Sequence, residues 1–238
     1  MLQLRNFTSA RVGLGAAGVS LPTREVLAFQ LAHARARDAV HAGLDIPALA
    51  RELGDFVTAH SEAHDRATYL RRPDLGRRLD SESRRRIQEK SGKGKFDVAF
   101  VIADGLSAQA VQRHAPRILE LALPELNAAV WRIAPLVVVQ QGRVAIGDEI
   151  GQILGADLAV VLIGERPGLS SPDSLGIYLT WQPRPGRTDA ERNCISNIHA
   201  DGLSYPAAVH RLVFLLTESR RRCLSGVRLR EESNALAQ

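Results

Sequence analysis

Cysteine, lysine and aromatic side chains are all scarce in this sequence. Two cysteines, Cys194 and Cys223, are too few for a disulfide framework, and neither has the C-x-x-C partner of a zinc or redox motif. Aromatic residues make up only 5% of the chain, so there is little for nucleobases to stack on. No stretch approaches the roughly 18 consecutive apolar residues of a membrane span, so a spanning helix is excluded. The longest neutral run near the start, Val12 to Pro22, is rich in glycine and poor in Leu, Ile and Phe, a weak core for a secretion signal. These absences together predict a reduced, cytoplasmic protein that takes no membrane partner.

What is present is ordinary for a globular chain. Of 238 residues, 45% are hydrophobic and 24% charged, which argues against wholesale disorder. That length suits one large domain, or one domain with an appended segment. The net charge of +5 is concentrated. Residues 71–95 hold ten basic groups (Arg71, Arg72, Arg77, Arg78, Arg84, Arg85, Arg86, Lys90, Lys93 and Lys95) against Asp74, Asp80, Glu82 and Glu89, a net of +6. Such a run serves either as a solvated face or as a contact surface for an acidic partner. Only Tyr69 and Phe96 flank it, which weighs against nucleic acid.

The hydrophobic pattern changes near Gly92. Residues 23–90 read as helical: Thr23 is placed to cap a helix carrying Val26, Leu27, Leu31 and Ala34, and Pro47 suits the start of a second. Phe56 to Leu70 reads as a further helix ended by Pro73, and Ser81 precedes a short polar one that stops at the linker Ser91 to Lys95. Beyond the linker come short, nearly continuous apolar runs at 96–103, 134–139 and 158–164. Runs of this kind, rich in Val and Ile and lacking alternation, fit strands buried on both faces of a parallel sheet. Helical patterns at Ala108 to Leu123 and Ile146 to Leu154 separate them. Gly176 to Trp181 reads as a fourth strand, and Pro206 to Cys223 as a closing helix. The expected fold is therefore α/β, an open, mostly parallel, Rossmann-like sheet with helices on both faces. An N-terminal helical, partner-contacting segment (1–91) precedes the α/β domain (92–238).

In open α/β sheets ligands bind outside the carboxyl ends of the strands. Three loops qualify: Asp104 to Ser107, Gln140 to Val144, and Glu165 to Gly168. The familiar catalytic motifs do not. Gly13 to Gly18 satisfies G-x-G-x-x-G, yet a polar segment precedes it and Pro22 follows closely, so it lacks the strand and helix that a dinucleotide fingerprint needs. No G-x-S-x-G or Walker A sequence occurs. His60 and His64 are four apart without the H-E-x-x-H order, and no metal site is expected. The repeated D-G-L-S at 104–107 and 201–204 is explained by helix capping.

From Asp97 onward the chain closely resembles the small (light) subunit of adenosylcobalamin-dependent ethanolamine ammonia-lyase. The match is carried by VIADGLSAQAV (101–111), by PLVVVQQGRVAIGDEIGQILGADLAVVLIGERPGLSSPDSLGIYLT (135–180) and by PRPGRTDAERNCISNIHADGLSYPAA (183–208). SARVGLG (9–15) and ATYLRRPDLGRRL (67–79) extend the likeness over about residues 9–222. The resemblance implies a hetero-oligomer in which a large TIM-barrel subunit holds substrate and the catalytic groups. The small subunit closes over adenosylcobalamin (coenzyme B12) from the other side, and radical chemistry converts ethanolamine to acetaldehyde and ammonia. It implies no catalytic residue on this chain and cofactor contacts at Val144, Glu165 and Cys194, with Arg143, Arg166, Arg192 and Asn193 as further candidates. The Asp-x-His-x-x-Gly motif that supplies a lower cobalt ligand in many cobalamin proteins is missing, so the cofactor's own dimethylbenzimidazole is the lower ligand expected. The implied setting is the cytoplasm, with a bacterial microcompartment as a variant of it. The residues alone leave one alternative open, a non-catalytic α/β domain that binds a nucleotide or RNA.

Overall fold

Strand β2 (Phe96–Ala103) shows why a sheet with two covered faces forms. Its residues from Val98 onward are all fully buried, and they alternate between two hydrophobic cores. Val98, Phe100 and Ile102 pack in one core, while Ala99, Val101 and Ala103 pack in the other. A strand with no solvated face needs no polar alternation, which is how its sequence reads. β4 (Ala156–Gly164) repeats the pattern, with Leu158, Val160 and Leu162 facing the first core and Val161 and Ile163 the second.

A computed structural model describes residues 10–92 and 94–229. Lys93 of the basic run, the leader before Ala10 and the tail after Leu229 lie outside the described residues. The elements run α1 (Thr23–His41), α2 (Ile46–Leu53), β1 (Val57–His60), α3 (Arg66–Arg71), α4 (Ser81–Lys90), β2, α5 (Ala108–Ala128), β3 (Val137–Gln140), α6 (Ile146–Leu154), β4, β5 (Leu175–Trp181), β6 (Arg192–Ile198) and α7 (Tyr205–Arg222). The six strands form one open sheet in the order β1-β3-β2-β4-β5-β6. All pairs are parallel except those on either side of β5, which runs against its neighbours. The expected α/β architecture with a mostly parallel sheet is what forms.

Helices cover both faces. α2, α5 and α7 contribute to the core on one side, and α4 and α6 to the core on the other. From β2 the chain crosses over α5 to β3, then returns across β2 over α6 to β4. Direction and face reverse together, so both crossovers have the same hand, as the twist of parallel strands requires.

Several local expectations are corrected. Residues 56–70 do not make one helix: Val57–His60 is an edge strand whose first N–H donates to Leu136 O at 2.8 Å, and α3 starts only after Asp65 caps it. The segment 1–91 thus shares its sheet with residues 92–238. Because His60 sits in that strand and His64 in the loop after it, the two do not lie on one helix face, and the described residues hold no cluster of potential metal ligands. α5 runs through Pro124 to Ala128 rather than stopping at Leu123. Pro22 occupies the capping position of α1, where Thr23 was expected, and gives no side-chain bond. β6 is a strand that the sequence pattern did not suggest at all. Among the described residues no helix is long and apolar enough to cross a membrane.

Candidate functional site

The three loops singled out by the strand-end rule converge on one cavity of about 270 Å3. The loop after β2 supplies Gly105 and Leu106, the loop after β3 supplies Arg143 and Val144, and the end of β4 supplies Glu165 and Arg166. Tyr69 of α3 and Tyr178 of β5 complete the walls. The position is a topological switch point: the chain leaves β2 and β3 in opposite directions, which opens a crevice between their loops. A larger cleft of about 570 Å3 lies between α2 and α5, lined mainly by Leu, Pro and the ion-paired Arg117 and Glu120, away from the strand ends.

Two glycines let the loops meet. A Cβ on Gly164 would stand 2.0 Å from Ser107 O, and one on Gly105, whose φ is +57°, would stand 2.3 Å from Gly164 O. Leu106 N–H donates to Gly164 O at 2.9 Å across this contact. Ser107 then caps α5, its hydroxyl accepting from the Ala110 N–H. The second D-G-L-S acts alike at Ser204, which caps α7. Asp104 has a different task. Its buried carboxylate accepts from Gln141 N at 2.8 Å and from Gly142 N at 3.0 Å, so the loops after β2 and β3 are tied together. Burial raises the Asp104 carboxyl above its ordinary range, and those amides together with Arg66 oppose the rise.

The tyrosines were not foreseen as part of the site. Tyr69 is fully buried, donates its hydroxyl to Gly142 O at 3.2 Å, and lies between two guanidinium groups. Arg66 stands 4.7 Å and Arg143 4.2 Å from its ring centre. Such stacking on a ring face is favourable for a cation held away from water. Burial pushes the Tyr69 phenol well above its usual range. Tyr178 has the same shift from the same cause, with Cys194 and Glu165 adding to it.

Val144 lines the cavity just before α6, where the first-turn N–H groups are already taken: Ile146 N–H donates to Arg143 O at 3.0 Å, Gly147 N–H to Val144 O at 3.1 Å and Asp148 N–H to Ala145 O at 3.2 Å. Glu165 accepts at Oε2 from the Ser174 hydroxyl and, at 3.3 Å, from the Asn197 N–H. Among the described residues it makes no ion pair with Arg166. Cys194 is not in the cavity wall. It is an exposed residue on β6, directly across from Tyr178, and desolvation by its neighbours raises its thiol above the ordinary value. Arg143 holds Tyr69 O through Nη2 at 3.2 Å, while its buried Nε has no partner among the described residues.

Arg192 and Asn193 are committed to the fold instead. Both Nη atoms of Arg192 bond the Asp148 carboxylate at 2.7 Å, and further bonds reach Thr180 Oγ1 and Arg187 O. Asn193 Nδ2 donates to Gly226 O and Leu229 O, and its Oδ1 accepts from Gly226 N–H, which fastens the chain after α7. One serine–histidine contact outside the cavity invites comparison with a nucleophile and base. Ser171 Oγ lies 3.3 Å from His199 Nε2, but Asn197 Oδ1 lies 2.9 Å from the same nitrogen. A relay needs the orienting group on the opposite ring nitrogen, so this is not a triad.

These features define a class: an open α/β protein with a ligand-competent cavity at its strand ends and, among the described residues, no assembled nucleophile, base and acid. Comparison with known proteins makes the class specific. The family model for the ethanolamine ammonia-lyase light chain (EutC) matches residues 1–230. The chain is 55% identical over 242 residues to the ethanolamine ammonia-lyase small subunit of Pseudomonas aeruginosa, covering 99% of this chain and 89% of that one. It is 56% identical over 238 residues to the same subunit of Pseudomonas paraeruginosa, with 98% and 87% covered. For Azotobacter vinelandii the identity is 56% over 238 residues, with 97% and 88% covered. The chain belongs to the ethanolamine ammonia-lyase small-subunit family.

Proposed function

We propose that this chain is the working small subunit of an ethanolamine ammonia-lyase in the cytoplasm, and that the rim of its sheet holds one side of adenosylcobalamin against a large catalytic subunit. The observation that carries this reading is the meeting of Val144 and Glu165 in one strand-end cavity, in a chain that belongs to this family. The residues suit a corrinoid. A corrin rim carries amide groups that both donate and accept, with apolar surface between them. The cavity wall holds a carboxylate acceptor on Glu165, the guanidinium of Arg143, whose buried Nε has no partner among the described residues, and the apolar side chain of Val144. At about 270 Å3 the cavity takes part of such a ligand, which suits a site shared with a second chain.

When bound, adenosylcobalamin supplies a cobalt–carbon bond that breaks to give the radical needed for ethanolamine deamination. This chain's residues bind and orient. Glu165 would accept from a corrin amide, with Val144 and Arg143 beside it, and Cys194 would present a small side chain to the cofactor from β6. Asp104 and the two glycines keep the loops in register so that these groups act together. The region of α1 and the basic run covers the large subunit. Leu21, Leu27, Phe29 and Leu31, all exposed at or on α1, supply an apolar contact there, and the basic run supplies charge.

Affinity capture of the tagged chain from cells, read by mass spectrometry and by visible absorption, tests the proposal. A larger partner chain and retained corrinoid are expected, and the double variant Val144→Arg, Glu165→Ala should assemble but retain less corrinoid. Deamination of ethanolamine by the isolated chain, or undiminished retention by the double variant, would refute it.

A further inference from the structure

Glu165 is held in an asymmetric way that its proposed role does not explain by itself. Both donors to its carboxylate, the Ser174 hydroxyl and the Asn197 N–H, reach the same oxygen, Oε2. Oε1 has no hydrogen-bond partner among the described residues and lies over Gly176, where a Cβ would come within 3.0 Å of it. The arrangement is reinforced at each end. Glu165 N–H donates to Ser174 O at 2.9 Å, so the two residues bind each other through backbone and side chain. Ser174 is 6% exposed, so its hydroxyl must find an acceptor inside the protein. Asn197 has φ of +65°, a left-handed conformation that turns its N–H toward the carboxylate. The pairing of β5 with β6 shifts register between Leu175 and Ile177, next to this cluster.

Neither donor is a cation. A carboxylate held by a guanidinium would have most of its charge and both oxygens engaged. Neutral donors on one oxygen leave the other to accept from a ligand while removing the freedom of the terminal torsion. We propose that Ser174, acting with the Asn197 backbone N–H, is a positioning residue that fixes Glu165 so that Oε1 alone faces a corrin amide donor. This rests on the reading of Glu165 as a corrinoid contact, and the experiment separates the two.

The purified two-subunit complex is titrated with cyanocobalamin, a corrinoid that undergoes no turnover, and the dissociation constant is read by equilibrium dialysis. Size-exclusion chromatography confirms that each variant remains assembled. Ser174→Ala should weaken binding roughly fivefold, the effect of one hydrogen bond's worth of ordering. Glu165→Ala should weaken it by about tenfold or more. Adding Ser174→Ala to Glu165→Ala should cost nothing further, because Ser174 acts only through that carboxylate. Ser174→Thr, which keeps the hydroxyl, should bind within about twofold of the parent. If Ser174→Ala binds normally while Glu165→Ala is weak, the positioning role is wrong and the contact stands. An equal loss from Ser174→Ala in both backgrounds, or a Thr variant as weak as the Ala variant, would also overturn it. Normal binding by Glu165→Ala would remove the contact itself and the positioning role with it.

Discussion

Two carboxylates near the carboxyl edge of this sheet have opposite surroundings. Asp148, on α6, is 1% exposed and meets both Nη atoms of Arg192, which is itself bonded to Thr180 and to a backbone carbonyl. Glu165, at the end of β4, meets only neutral donors and keeps one oxygen without a partner among the described residues. Both Asp148 oxygens are taken by Arg192, whose Nε faces Asp189 Oδ1 at 3.5 Å, so the chemistry of this pair serves cohesion between α6, β5 and β6. Glu165 is anchored and still unsaturated, which is the condition of a binding group. Residue type does not distinguish the two roles, but the completeness of hydrogen bonding does.

The largest break in this contrast comes from Arg192→Met. It leaves the Asp148 carboxylate buried without its cation, at a cost of about 3–5 kcal/mol, visible as a large fall in melting temperature. Burial already raises the Asp148 carboxyl against the pull of Arg192, so removing that pull favours the protonated acid. The double variant Asp148→Leu, Arg192→Met should recover much of the loss. Glu165→Gln, by contrast, should leave the melting temperature of the complex nearly unchanged while weakening corrinoid binding.

A smaller effect is expected at the loop contact. Gly164→Ala drives a Cβ into Ser107 O and should destabilise by about 1–3 kcal/mol, measured by urea unfolding. Corrinoid affinity should fall with it, because the loops after β2 and β4 can no longer close together.

Smaller again is a pH effect at His114. This 1% exposed imidazole meets Tyr205 Oη and Asp173 O, each at 2.8 Å. Burial depresses its pKa below the ordinary 6.5, so the folded chain binds this proton less readily than the unfolded chain. Its neutral form costs no stability above pH 6.5, and stability is lost as pH falls from there through the folded pKa. His114→Gln cannot titrate, and thermal melts between neutral and mildly acid pH should show a shallower decline than in the parent. The smallest effect belongs to the basic run. Arg85 is exposed and reaches Glu89 at 3.9 Å, so Arg85→Ala should leave the melting temperature unchanged.

The buried strands could be read from the sequence because burial on both faces leaves an unmistakable run: β2 was bounded correctly at Phe96 and Ala103, and α6 at Ile146 and Leu154. Edge strands carry no such signature. β1 is four residues with one buried position, and β6, RNCISNI, mixes buried Arg192, Ile195 and Ile198 with exposed Cys194, Ser196 and Asn197. The helical pattern from Ala108 stops at Leu123, yet α5 runs on through Pro124, because a proline in the last turns of a long helix is tolerated when packing holds the rest, and Leu126 beyond it is fully buried.

The same divide applies to the site. The three loops were legible because strand ends follow from strand positions, and the family resemblance pointed to Val144 and Glu165 within them. Tyr69 lies in a segment whose pattern reads simply as a helix, and Tyr178 in one that reads simply as a strand. Arg192 and Asn193 stand beside Cys194 in a motif that looked ligand-like throughout. Only their partners, Asp148 and the Gly226–Leu229 segment, assign them to structure, and those contacts are remote in sequence.

The claim on which the rest depends is that the strand-end rim is the cofactor surface of this chain. Hydrogen–deuterium exchange of the two-subunit complex, with and without cyanocobalamin, tests it most directly. Protection on binding should appear in the loops 104–107, 141–146 and 165–168 and in β6 near Cys194, while α2 and the basic segment exchange as before. Protection confined to the cleft between α2 and α5, or absent from this chain altogether, would contradict the account.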